Sequence, residues 1–153
     1  MEERMFVHKI VLGLTATALL GSCSMMMGAG GSTYTFKHKA NAADPTAMGK
    51  AVATTKDGMV STTLTLTGLT PNKAYIAHYH AFGPESNTDP CASNGPVTLG
   101  FPGFTADASG NATTAVTGDM AKIAGDQGAY LNVHYASDPS VVPICAPVKM
   151  TKG

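Results

Sequence analysis

Residues 51–69 read AVATTKDGMVSTTLTLTGL, and this stretch decides the fold class. Its two arms, 51–56 and 59–69, are rich in Val, Thr and Leu, and β-branched residues of this kind favour extended structure. Between the arms stand Asp57 and Gly58, a pair that readily adopts the positive φ angles of a two-residue hairpin turn. The sequence therefore predicts a β-hairpin at the centre of the fold.

The rest of the chain continues this pattern of short extended segments separated by Gly, Pro, Asn and Asp. The pattern predicts roughly eight strands in an all-β sandwich or barrel. A long loop is expected at 83–103, and 118–128 is the one interval where a short helical turn fits. The further strands are expected at 33–39, 75–82, 112–117, 130–136 and 141–150.

Composition limits the function classes. Charged residues make up 13% of the 153 residues, and ten basic side chains balance ten acidic ones. A nucleic-acid binder with a basic surface is therefore excluded. The one arginine, Arg4, lies near the N-terminus, so the folded part of the chain has no guanidinium group for a bidentate anion clamp.

The N-terminal segment has the pattern of a targeting signal. The apolar run 10–20, IVLGLTATALL, is shorter than the roughly 20 residues of a membrane helix and follows Lys9. The next residues, Leu20 to Cys23, resemble the lipobox of bacterial lipoproteins, although ordinary signal cleavage nearby is the alternative. We expect a signal peptide at 1–22, translated from Met1 or Met5, a flexible tether at 23–32 and a folded domain at 33–153. Lipidation of Cys23 would anchor the protein to the extracytoplasmic side of a membrane, in the periplasm or at the cell surface.

The cysteine count agrees with this location. If Cys23 is lipidated, Cys91 and Cys145 remain as an even pair in a compartment where disulfides persist. A bridge between them would stabilise the fold by roughly 4 kcal/mol through loop closure. Two free buried thiols are the alternative.

Three histidines form a candidate metal site. His78 and His80 are two residues apart in a predicted strand, so both side chains project from one face, about 6.6 Å apart. His134, from a second predicted strand, is the candidate third ligand, and three neutral imidazoles suit copper or zinc. The alternative is a set of solvent-facing histidines without a ligand. His38, between Lys37 and Lys39, is expected to face solvent or to be a fourth ligand.

A series of motifs stands around these residues: LTGLTP at 66–71, HYHAFG at 78–83, CASNGP at 91–96, TADASG at 105–110, NVH at 132–134 and then Cys145. In order and spacing, over about 115 residues, they resemble the copper/zinc superoxide dismutases. The resemblance implies an eight-stranded Greek-key β-barrel and a Cys91–Cys145 disulfide. It also implies copper ligation by His78, His80 and His134.

The sequence departs from that family at three places. Val97 stands where the family has the histidine that bridges copper and zinc, and the position of the zinc-binding aspartate falls near Gly100. The guiding arginine before the second disulfide cysteine is replaced by VPI at 142–144. The resemblance therefore implies one copper ion, no zinc site and slow dismutation or none.

Three functions are consistent with these residues. The first is a copper-binding, superoxide-dismutase-like envelope lipoprotein, whose partner is superoxide. The second is a non-enzymatic copper carrier on the same scaffold, which exchanges copper with a donor or acceptor. Its candidate ligands are the three histidines, with Met25, Met26 and Met27 as additional candidates. The third is a structural envelope sandwich whose histidines are relics.

Overall fold

A computed structural model describes residues 31–40, 42–82, 89–93 and 95–150. The predicted signal peptide, Cys23 and nearly all of the predicted tether lie outside the described residues. Strands β1 to β10 span Gly31–Thr35, Lys37–His38, Met48–Lys56, Met59–Thr67, Ala74–Ala81, Val97–Gly100, Phe104–Thr105, Ala112–Asp119, Ala129–Tyr135 and Ile144–Val148, and helix α1 spans Met120–Ile123. None of the helices in these ranges is long and apolar enough to cross a membrane.

The strands form two antiparallel sheets. The first has the order β1-β3-β4-β8, and the second has the order β2-β10-β9-β5-β6, with β7 pairing to β5. The all-β prediction is confirmed. Of the two predicted forms, a sandwich or a barrel of about eight strands, the barrel is not found. The described residues form ten strands in two sheets, and no hydrogen-bonded pairing joins an edge of one sheet to an edge of the other.

The predicted hairpin is present as β3 and β4. Lys56 pairs with Met59 across a turn in which Asp57 and Gly58 have φ angles of 50° and 75°. Two positive φ angles characterise a type I′ turn, whose twist matches that of the flanking strands. Along β4, exposed and buried residues alternate strictly, and the buried face packs into the core.

Two strand boundaries differ from the sequence prediction. The chain changes sheets at the buried Phe36, so the extended segment expected at 33–39 is divided between β1 and β2. The loop expected at 83–103 contains β6, whose first residue, Val97, pairs with His80. The short helical turn expected at 118–128 is confirmed as α1, and the Asp119 side chain caps it by accepting a hydrogen bond from the Ala121 N–H.

The hydrophobic core lies between the two sheets. Leu64 from the first sheet and Tyr79 and Val133 from the second are fully buried there. The Tyr79 hydroxyl forms a 2.7 Å hydrogen bond with Oγ1 of Thr62, which links the two sheets through the core. Because Tyr79 points inward, its neighbours His78 and His80 point to the outer face of the second sheet.

Candidate metal centre

The three candidate histidines meet on the outer face of the second sheet. His78 and His80 come from β5, and His134 comes from the neighbouring strand β9, where it pairs with Ile76. The imidazole centroids form a nearly equilateral triangle with sides of 5.8 Å for His78–His80, 5.2 Å for His78–His134 and 5.7 Å for His80–His134. The structure thus brings together the three residues that the sequence singled out; we call them the histidine triad.

The ring nitrogens of the triad are close enough to share an ion after a small adjustment. One nitrogen of each ring lies within 4.8 Å of the others, and no further His, Cys, Asp or Glu of the described ranges joins the group. Bonds of about 2.0–2.1 Å from imidazole to metal would bring the nitrogens to about 3.4 Å from one another. Small rotations of the three side chains would bring the nitrogens from their present separation to this distance.

Backbone carbonyls fix the tautomers of two of these rings. Nδ1 of His80 lies 2.8 Å from the Gly95 carbonyl oxygen, and Nδ1 of His134 lies 2.6 Å from that of Pro139. A carbonyl oxygen only accepts hydrogen bonds, so each Nδ1 carries the proton and each Nε2 keeps its lone pair. Both Nε2 atoms are buried and lack a hydrogen-bond partner in the described part of the chain.

The surroundings keep the triad neutral. Burial lowers the pKa of His134 to about 4; the hydrogen bond to Pro139 opposes this effect, and the neighbouring His78 and His80 reinforce it. Burial is also the main cause that lowers the pKa of His78 and of His80. Neutral imidazoles with free Nε2 lone pairs are the form in which histidine binds metal ions.

A comparison with protein-family models gives one match, to the CHRD domain, over residues 33–141. The matched segment covers well over half of the 153 residues. The chain belongs to the CHRD domain family. A search of curated proteins finds no match to the chain.

The family match overturns the resemblance to the copper/zinc superoxide dismutases. That resemblance depended on short motifs, and two of them have a local structural reason here. Gly95 allows a close approach to the backbone of Ala81, and His78 and His80 follow the two-residue period of a strand. The predicted copper-binding, dismutase-like function is therefore wrong, and so is the copper carrier on the same scaffold. The triad is a separate observation, since it stands on the geometry of β5 and β9.

Tyr130 holds the loop that orients His80 in this CHRD domain. The backbone N–H of Gly95 donates a 2.7 Å hydrogen bond to the Tyr130 hydroxyl, and the Gly95 carbonyl accepts from His80. A Cβ atom at position 95 would overlap the carbonyl oxygen of Ala81, so glycine is required for this close approach. The alternation of Tyr130, Asn132 and His134 along β9 was the sequence signal that could have placed Tyr130 at the site.

The loop that orients His134 is held in a similar way. Asp138 accepts hydrogen bonds from the Ser140 N–H at 3.0 Å and the Ser140 hydroxyl at 2.7 Å. The Tyr135 N–H donates to the Val141 carbonyl oxygen, so both ends of the turn are fixed around Pro139. These bonds aim the Pro139 carbonyl at His134.

A disulfide between Cys91 and Cys145 fastens the segment 89–93 to β10, with the Cα atoms 5.4 Å apart. The expected pairing is confirmed, and the alternative of two free thiols is wrong. Asp89 accepts a hydrogen bond from the Cys91 N–H at 3.0 Å. The side-chain amide nitrogen of the buried Asn132 faces the Pro90 carbonyl oxygen and donates a 3.3 Å hydrogen bond to it. The disulfide segment is thereby held against the face that carries the triad.

An open cleft of about 920 Å³ borders the triad. His80 and His134 form part of its wall, and Lys37, Lys39 and Asp89 also line it. His38 lines this cleft too, with Nε2 3.3 Å from the Ala43 carbonyl oxygen, and it lies outside the group of converging nitrogens. A solvent-borne ligand can therefore reach the edge of the triad.

Proposed function

We propose that this CHRD domain binds one late first-row transition-metal ion through the Nε2 atoms of His78, His80 and His134. The observation that carries the proposal is the pair of buried, unpartnered Nε2 lone pairs on His80 and His134. A buried acceptor without a partner costs about 1–3 kcal/mol in a folded protein. A metal ion bound there would supply the missing partner for both atoms.

The arrangement around the rings also supports a metal site. A ligating histidine almost always donates its other ring N–H to a carbonyl, a carboxylate or water, which fixes the ring and raises its basicity. Gly95 and Pro139 supply such carbonyls. When bound, the metal would act as a Lewis acid, and the chain's own part is to hold it with the three neutral rings of His78, His80 and His134.

Metal binding is tested on metal-free protein dialysed against cobalt(II), zinc(II), copper(II) and, under argon, copper(I). We expect one equivalent to be retained and the unfolding temperature to rise. The variant His134→Gln should lose at least tenfold in affinity, because one of three ligands is removed. His38→Gln is the matched control, because it changes a histidine of the same cleft that lies outside the triad.

Two outcomes would contradict the proposal. Retention of no ion, or equal retention by the parent and His134→Gln, would leave a structural sandwich with idle histidines. If an ion is retained, competition among the ions identifies the metal, because the affinity of a nitrogen site differs along the first-row series and is higher for copper(II) than for zinc(II) or cobalt(II).

We also propose that Cys23 carries a lipid and anchors the domain on the extracytoplasmic side of a membrane. The Cys91–Cys145 disulfide supports this location, because disulfides persist in oxidising compartments. Cell fractionation tests it: Cys23→Ser should move the protein from the membrane fraction to the aqueous fraction. Retention of the variant in the membrane would contradict the anchor.

The proposed connection between the sheets is a Greek key. The chain leaves the first sheet after β4, forms β5 to β7 in the second sheet, and returns as β8 beside β4. This crossover supports a Greek-key arrangement over a simple meander. An experimental structure of the metal-loaded protein would test the connection and the site together.

A further inference from the structure

The histidine triad offers no negative charge to a bound cation. All three donors are neutral imidazoles, and no carboxylate of the described residues joins them. His80 and His134 are only 8% and 6% exposed, so a cation between them would be largely withdrawn from water. A charge buried in this way is costly unless a counter-charge accompanies it. An anion supplied from outside the triad would offset this cost.

The cleft beside the triad has the charge that would attract such an anion. Lys37 and Lys39 line it, and the acidic residue among the lining side chains is Asp89, which accepts the Cys91 N–H. Lysine attracts phosphate and carboxylate groups as a point charge.

We propose that the triad centre takes a small oxyanion from solution as its remaining ligand, and that Lys37 and Lys39 attract this anion into the cleft. The inference rests on the metal site proposed above. A cleft of about 920 Å³ accommodates acetate, inorganic phosphate or a small organic acid without rearrangement of the chain. The chain thereby supplies the metal ligands and the electrostatic attraction, and the solution supplies the counter-charge.

The test uses protein loaded with cobalt(II), whose visible absorption reports coordination. Acetate and inorganic phosphate are titrated separately, at constant ionic strength. We expect a saturable spectral change with at least one of them. In the double variant Lys37→Met and Lys39→Met, the anion should bind about fivefold more weakly, since two positive charges that line the cleft are lost. Cobalt affinity should change little.

A matched double variant, Lys50→Met and Lys56→Met, removes two exposed lysines of β3 in the other sheet and should bind the anion as the parent does. Failure to bind cobalt would overturn the metal site itself. Cobalt binding without a spectral change, even at about 0.1 M acetate or phosphate, would overturn the anion ligand alone. At that ionic strength the Debye length is about 10 Å. Equal weakening in both lysine variants would overturn the role of the cleft.

Discussion

The phenol ring of Tyr130 lies almost parallel to the imidazole of His80, with the ring centroids 5.0 Å apart and the planes inclined by 13°. The two residues are direct partners across β9 and β5. Because the Tyr130 hydroxyl also accepts the Gly95 N–H, one side chain both stacks on the histidine and holds the loop whose carbonyl orients it. Tyr130 is therefore a positioning residue for the triad.

Tyr130→Phe should weaken metal binding without abolishing the fold. The substitution keeps the ring that stacks on His80 and removes the acceptor of the Gly95 N–H. We expect metal affinity to fall about tenfold, because removing a group that orients a metal ligand costs about 10–100-fold in affinity. The free energy of unfolding should fall by about 1 kcal/mol. A competition titration with a coloured chelator measures the affinity.

Tyr34→Phe is the control for this change, because its hydroxyl makes only a 3.4 Å hydrogen bond to the Lys149 carbonyl oxygen at a site away from the triad. The same metal affinity for Tyr130→Phe and Tyr34→Phe would show that the loop around Gly95 keeps its place without the phenol.

The disulfide should stabilise both the fold and the triad. Cys91 and Cys145 are 54 residues apart in sequence, and closing a loop of that length is worth about 4 kcal/mol in the chain-entropy model. Replacing both by serine should lower the free energy of unfolding by about that amount. Metal affinity should also fall, since the segment 89–93 precedes Gly95 and is tied to β10 through the disulfide. Urea unfolding and the chelator titration measure the two effects.

Cys23→Ser is the control for the disulfide variants, because it removes a cysteine and leaves the Cys91–Cys145 bridge intact. A loss of stability with unchanged metal affinity would show that Asn132 and the hydrogen bonds of the segment alone keep Gly95 in place.

Much of the fold could be predicted from local sequence patterns. Asp57 and Gly58 fix a turn by their own conformational preferences, and the alternation in β4 follows from the two-residue period of a strand. The same period placed His78 and His80 on one face. Strand β6 was missed because Val97–Gly100 is short and has no clear alternation, and its pairing with β5 depends on contacts between residues distant in sequence.

The support of the site could not be predicted in the same way. The groups that orient His80 and His134 are backbone carbonyls, and a carbonyl of Gly95 or Pro139 carries no residue-type signal. Short motifs also gave the wrong family, because turns, histidines in strands and a pair of cysteines are not specific to one family of β-sandwich proteins.

Asp44 should be the most sensitive buried polar group outside the triad. Its carboxylate accepts hydrogen bonds from the hydroxyls of Tyr75 at 2.5 Å, Tyr135 at 3.0 Å and Thr70. Burial raises its pKa, but these bonds outweigh burial and hold the pKa below its ordinary value. Asp44→Asn should cost about 2–3 kcal/mol of unfolding free energy, since charged acceptors make the stronger bonds.

Asp57→Asn is the matched control, because Asp57 has nearly the same positive φ, 50° against 56°, and is exposed at the hairpin turn. Asparagine tolerates that backbone conformation, so the comparison isolates the buried charge. Chemical denaturation of the two variants measures the difference, and equal stabilities would contradict the role given to the carboxylate.

The metal-free protein should lose stability as the pH falls from 7 to 5, and His134 should account for a large part of the loss. Its pKa is about 4 in the folded protein and about 6.5 when unfolded, so in this range the unfolded chain binds a proton that the folded chain does not. The unfolding free energy contributed by His134 therefore falls with pH, by about 2 kcal/mol at pH 5. The pKa values of His78 and His80 are lowered too, so their contributions have the same sign. Urea unfolding of the parent and of His134→Gln, measured between pH 7 and 5, tests this. The loss of unfolding free energy over this range should be smaller by about 2 kcal/mol in His134→Gln. An equal loss in both proteins would mean that His134 takes up its proton in the folded state.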